Sequence, residues 1–102
     1  GGGEALPTPS LIISETARFY QVEESVLRGT KKTKGTAKAR QVAMYLCRRM
    51  TNISFPDIGQ EFGKHHTTVM YAVSEVEKQL AAGNSTLQKE IDDIIASINA
   101  RL

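Results

Sequence analysis

The stretch Phe55-Pro56-Asp57-Ile58-Gly59-Gln60-Glu61-Phe62-Gly63-Lys64-His65-His66-Thr67-Thr68-Val69-Met70-Tyr71, FPDIGQEFGKHHTTVMY, decides the fold. Its first half carries helix-start chemistry. Ser54, just upstream, is an N-cap residue; Pro56 is tolerated in a first turn, where a missing N–H costs nothing; Asp57 suits the positive end of the helix dipole. Phe55, Ile58 and Phe62 recur at helical spacing and supply a buried side, Gly59 allows close backbone approach, and Gly63 ends the helix after about two turns. A second helix begins near His65–Thr67 and runs to about Ala82. Val69, Val73, Val76 and Leu80 form its buried stripe, with Thr67, Tyr71, Ser74 and Lys78 on the opposite face. Two helices split by a glycine-containing turn read as a helix-turn-helix, whose second helix enters the major groove of DNA and whose first residues reach base edges.

Working outward, the segment from roughly Ala37 to Met50 predicts a helix with Ala39, Val42, Ala43, Leu46 and Met50 on one buried stripe. Gln41 and Arg48 point the opposite way, with Met44 between them and Arg40 on the flank. Thr30 to about Ala37, TKKTKGTA, reads as a loop without an apolar residue to pin it to a core. Upstream lie a short helical piece over Glu23–Arg28, stopped by Gly29, and a helix from an N-cap at Ser10 to about Tyr20. Downstream, Gly83-Asn84 ends the recognition helix and Ser85 is expected to cap a last helix, with Leu87, Ile91, Ile94, Ile98 and Leu102 as its apolar edge. No period-2 alternation is long enough for a sheet. The expected fold is all-α: a compact bundle of about six helices containing a helix-turn-helix with a preceding basic loop. Residues 1–9 read as an expression remnant and linker end, residues 10–102 as the domain.

A chain of 102 residues with 40% hydrophobic and 24% charged residues is one small globular domain, with little room for an enzyme cleft. The single Cys47 excludes an internal disulfide and fits a reducing cytoplasm. No apolar run approaches the ~20 residues of a membrane span. The net charge of +2 hides a segregation: Arg28, Lys31, Lys32, Lys34, Lys38, Arg40, Arg48 and Arg49 follow one another with no acidic residue among them, leaving five basic residues against all eleven acidic ones elsewhere. A one-signed block of this kind is either a solvated loop or a surface for a polyanion.

The tip GKHHTT holds both histidines, and three readings compete for it. As metal ligands His65 and His66 are poor, since helix neighbours diverge by about 100° and cannot face one ion. As base and nucleophile a histidine and a threonine would need an orienting carboxylate, and none is predicted close by; the GQEFGKH run is one residue short of a phosphate-binding loop and lacks its Ser/Thr. As caps, first-turn threonines satisfy free N–H groups and need no further purpose. Convergence favours a DNA-reading surface. Helix N-termini and Lys/Arg side chains hold phosphates, the threonine methyl matches the thymine methyl, and histidine can donate to or accept from base edges. A basic Lys32-Thr33-Lys34 tip is long enough to reach a minor groove.

Ala39-Arg40-Gln41-Val42-Ala43-Met44-Tyr45-Leu46, then Pro56 to Gly63, then His66-Thr67-Thr68-Val69-Met70-Tyr71-Ala72, together resemble the C-terminal DNA-binding domain of the bacterial chromosomal replication initiator family, DnaA. The resemblance covers nearly the whole chain from about Ser10. It implies a non-enzymatic, cytoplasmic, nucleoid-associated domain that binds the short asymmetric duplex repeats called DnaA boxes at the replication origin, one monomer per box. It implies no cofactor here, ATP belonging to an AAA+ domain outside this sequence, through which other initiator protomers would also be met. By the resemblance, Lys32 falls at a minor-groove position; Arg40, Gln41 and Arg48 lie near backbone and bases; Pro56 lies near phosphate; His66, Thr67 and Thr68 meet the major groove. Lys34 is expected to add electrostatic attachment and His65 to add readout, and Lys64 belongs to the same expected DNA-binding set. The family usually carries Asp where His65 stands, and often basic residues where this chain has Ser74-Glu75. Two other readings remain at this point: a regulator that binds palindromic half-sites as a dimer, and a protein-docking module with an acidic partner.

Overall fold

Thr8 sits in extended backbone and its Oγ1 accepts the Leu11 N–H at 3.1 Å, opening helix α1 (Pro9–Tyr20). The cap falls at Thr8 and not at Ser10, because Pro9 has its ring-fixed φ and no N–H, which suits the first helical position. The computed structural model describes residues 6–30 and 33–102, and α1 is followed by α2 (Glu24–Leu27), α3 (Lys34–Met50), α4 (Phe55–Phe62), α5 (His66–Ala81) and α6 (Ser85–Ala100). Among the described residues there is no strand, and no helix is long and apolar enough to cross a membrane. The all-α expectation holds.

Helix α3 is the centre of the molecule, packing against α1, α2, α4 and α5. It begins a turn earlier than its sequence predicts. Thr33 and Thr36 bring their hydroxyl oxygens to 2.6 Å, and Thr36 is buried, so a Lys/Gly/Thr string that looked like loop becomes a first helical turn. Its buried surface is also wider than one stripe. Met44, placed by the helical wheel on the outward side, is 1% exposed, and Tyr45 and Cys47 are buried with it. A single stripe assumes a single neighbour, and α3 has several.

The helix-turn-helix forms as read. Ser54 Oγ accepts the Asp57 N–H at 3.2 Å, and Gly63 takes the left-handed conformation at φ 63°, ψ 36°. The Lys64 N–H then bonds back to the Gly59 carbonyl at 2.8 Å. That return brings the Lys64 carbonyl so close to Gly59 that an added Cβ would collide with it, which fixes why this position has no side chain. Ile58 and Phe62 of α4 and Val69, Ala72, Val73 and Val76 of α5 are buried between the two helices and α3. In α6 the cap is Asn84, whose Oδ1 accepts the Leu87 N–H at 3.0 Å, so Ser85 is the first helical residue and not the cap. Leu87, Ile91, Ile94 and Ile98 are buried, each contributing about 1.5–3 kcal/mol of apolar transfer. Leu102 departs from the expected edge: it lies past the helix end and is 51% exposed.

Candidate nucleic-acid interface

The N-terminus of α5 is built by His65, which occupies the N-cap in extended backbone. Its Nδ1 accepts the Thr67 N–H at 3.3 Å and lies 2.8 Å from Thr67 Oγ1. The capping expected of the threonines is thus performed by an imidazole acting on one of them. In the neutral ring the proton then resides on Nε2, so the free edge of His65 is a hydrogen-bond donor. His66 is half-buried, its ring stacked on that of His65 with centroids 4.2 Å apart and planes 37° apart. Thr67 and Thr68 are exposed. One helix tip therefore presents a donor edge, a second imidazole and two hydroxyls to solvent.

Thr68 also lines a groove of about 280 Å³ between α5 and α3, together with Arg40, Gln41, Lys64 and Tyr71. No carboxylate lines it; the floor is Ala37, Met44 and Ala72. Its two cations are held in place by carbonyls. Arg40 is 7% exposed and donates from Nε to Leu27 O at 3.0 Å and from a terminal nitrogen to Val26 O at 2.8 Å, and burial lowers its pKa from the ordinary guanidinium value. Lys64 donates from Nζ to Gly29 O at 2.7 Å. Arg40 therefore ties the α2 end to α3, and Lys64 ties it to the helix-turn-helix, so both side chains are held in place beside the groove. Their charge still acts on the groove.

Gln41 belongs to this groove and to a neighbouring one, of about 380 Å³, that reaches Lys34, Lys38 and Gln79. Lys34, Gln41 and Arg48 are spaced seven residues apart on α3, so they fall within about 40° of one line and span about 21 Å. Lys34 and Arg48 are exposed at its ends, and Gln41 is half-buried between them. Arg48 is held over the Phe55 ring at 4.4 Å and donates to Ile53 O at 3.2 Å, which orients it beside the start of α4, where Pro56 is exposed. Lys32 lies outside the described residues.

The basic block is not one surface. Arg28 donates to Glu61 O at 2.6 Å and pairs with its carboxylate at 3.1 Å, whereas Lys38 turns to Glu90 at 2.8 Å, on the oxygen that also accepts from Tyr20 at 2.9 Å. Arg49 donates to Tyr45 Oη at 3.2 Å. A helix with neighbours all round distributes a run of like charges to every side. Sequence reasoning placed Tyr71 on the exposed face but gave it no role; the missing signal was the proximity of α3.

A family model described as the bacterial dnaA protein helix-turn-helix matches residues 9–76. The chain is 43% identical over 91 residues to the chromosomal replication initiator protein DnaA of Mycobacteroides abscessus, an alignment covering 89% of this chain and 18% of that protein. It thus spans under a fifth of the length of that relative. With a capped α4, a left-handed glycine turn and an exposed polar tip on α5, within a match that runs through both helices, the chain belongs to the bacterial DnaA helix-turn-helix family of DNA-binding domains.

Proposed function

We propose that this domain binds double-stranded DNA sequence-specifically at DnaA-box repeats of a replication origin, one monomer per box. The tip of α5 enters the major groove, where His65, His66, Thr67 and Thr68 read base edges. Lys34, Gln41 and Arg48 follow the sugar-phosphate backbone, Pro56 and the start of α4 approach a flanking phosphate, and Lys32 reaches the adjacent minor groove. Replication initiation, ATP binding and contacts between protomers are then properties of a longer protein to which this domain contributes the DNA address.

The observation that carries this reading is the groove shared by Thr68, Gln41 and Lys64: donors from α3, the turn and α5 face one carboxylate-free surface. A docking site for an acidic protein would not need threonines and an imidazole donor at a helix tip. Fluorescence anisotropy on a labelled origin-like repeat and on a scrambled duplex tests the proposal. Binding to the repeat at least about 10³-fold tighter than to the scrambled duplex is expected at physiological salt. Equal binding to both refutes specific recognition, and sharp dependence on a palindromic pair refutes the one-monomer arrangement.

A further inference from the structure

Tyr71 is the most exposed large hydrophobic side chain of the described residues, at 63%, and it stands in the middle of the recognition helix. A solvent-facing aromatic of this size costs apolar transfer energy unless something covers it. Its setting is polar. Gln41, Thr68, Lys64 and Arg40 share its groove, and no acidic side chain does. Met70, the other exposed apolar residue of α5, is about 100° round the helix, so the two do not form one apolar patch. A phenol surrounded by an amide, a hydroxyl and two fixed cations is a set of donors aimed at an anion.

Resting on the DNA-binding reading, we propose that Tyr71 is a backbone clamp: its Oη–H and the Gln41 side-chain amide donate to the same phosphate, at the wall of the major groove. Tyr71 lies four residues beyond Thr67, about 6 Å further along the axis, where a helix leaving the groove meets the strand and no longer the bases. It leans toward α3, on the side of Gln41, where the line of Lys34, Gln41 and Arg48 runs. Arg40 and Lys64, tethered to carbonyls of the α2 end, stand behind as immobile charges, so the phosphate meets a preorganised field. The clamp sets the depth and register of α5, and it acts on every sequence alike.

The test compares wild type, Tyr71→Phe and Gln41→Ala on the repeat, on the scrambled duplex, and on repeats carrying one neutral methylphosphonate at each backbone position in turn. Tyr71→Phe keeps the ring and removes only the donor, and helical circular dichroism verifies its fold. The expected result is a loss of about tenfold on both duplexes. At one phosphate, the neutral replacement weakens wild type but has no further effect on Tyr71→Phe, and the same position is silent for Gln41→Ala. Unchanged binding by Tyr71→Phe, or a methylphosphonate profile parallel to wild type at every position, overturns the clamp. Failure of wild type to prefer the repeat is a different result, and it overturns the specific DNA-binding reading itself.

Discussion

At the scale of single residues, the proposed function gives His65 two tasks on opposite ring nitrogens. Nδ1 caps α5 by accepting the Thr67 N–H, and in the proposed complex the Nε2–H edge faces a base. Acceptor edges (guanine N7 and O6, thymine O4, adenine N7) are its matches, and the cytosine amino group is not. His65→Asp keeps an N-cap oxygen but replaces the donor by an acceptor. Its stability is expected to stay within about 0.5 kcal/mol of wild type, while preference at the facing base pair moves to cytosine. Binding to a panel of four duplexes differing at that step is the measurement; an identical ranking for both proteins removes His65 from readout. His66→Ala or Thr67→Ala is expected to cost about 1–3 kcal/mol on the specific site and little on scrambled DNA. An equal loss on both duplexes makes the residue a general attachment point. That such residues stand at a helix tip was legible in the sequence. Which nitrogen of His65 faces outward was not, because a capping bond between a side chain and a backbone N–H two residues on is set by the rotamer and not by residue type.

Among elements, α4 and α5 were readable because each of their signals is local. Ser54 bonds to a backbone N–H three residues away, and Gly63 turns left-handed by virtue of its own missing Cβ. The starts of α1, α3 and α6 shifted by one to three residues from expectation: Thr8 and Asn84 took the caps of α1 and α6, and Thr33 occupies the N-cap position of α3 with its hydroxyl on Thr36. Composition favoured a loop before Ala37, but the Thr33–Thr36 pair and the packing round α3 won. Gly59 carries the sharpest consequence at this scale. Alanine is the better helix former by about 1 kcal/mol, yet its Cβ would meet the Lys64 carbonyl, and backbone cannot step aside as a flexible side chain can. Gly59→Ala is therefore expected to lose about 1–3 kcal/mol in denaturant unfolding. It is also expected to weaken repeat binding more than scrambled-DNA binding, since moving Lys64 re-aims α5 against α4. A variant more stable than wild type contradicts the tight return at this turn.

For the whole molecule, the sequence revealed a charge block but not its destination, since position along a helix and position in space part company once the helix is central. The same centrality buries Cys47. Loss of solvation pushes its thiol up to about 12, with Glu61 adding to the effect and Arg28 opposing it. Above pH about 9 the unfolded thiol ionises while the folded one holds its proton, so the unfolded state binds fewer protons and stability falls as pH rises toward about 12. The phenol of Tyr20, raised by burial and by its hydrogen bond to Glu90, pulls the same way. Urea midpoints for wild type and Cys47→Ala between pH 8 and 11 are expected to converge as pH rises, with the residual slope of the variant due to Tyr20; parallel curves contradict a buried neutral thiol. Salt dependence is set by the same distribution of charge. Counting basic residues along the chain would allow about six phosphate contacts and a loss of affinity of about 10³-fold between ~50 and ~200 mM salt. Arg28 and Lys38 are paired with Glu61 and Glu90, and Arg49 is turned onto Tyr45, so those three do not enter the count. About three contacts remain, and at about −0.9 in log–log slope for each they lower the expected loss to about 40-fold over the same range. A measured drop near 10³ means that the Glu61 and Glu90 pairs open on DNA to release their cations, and a flat dependence means that the line along α3 touches no phosphate at all.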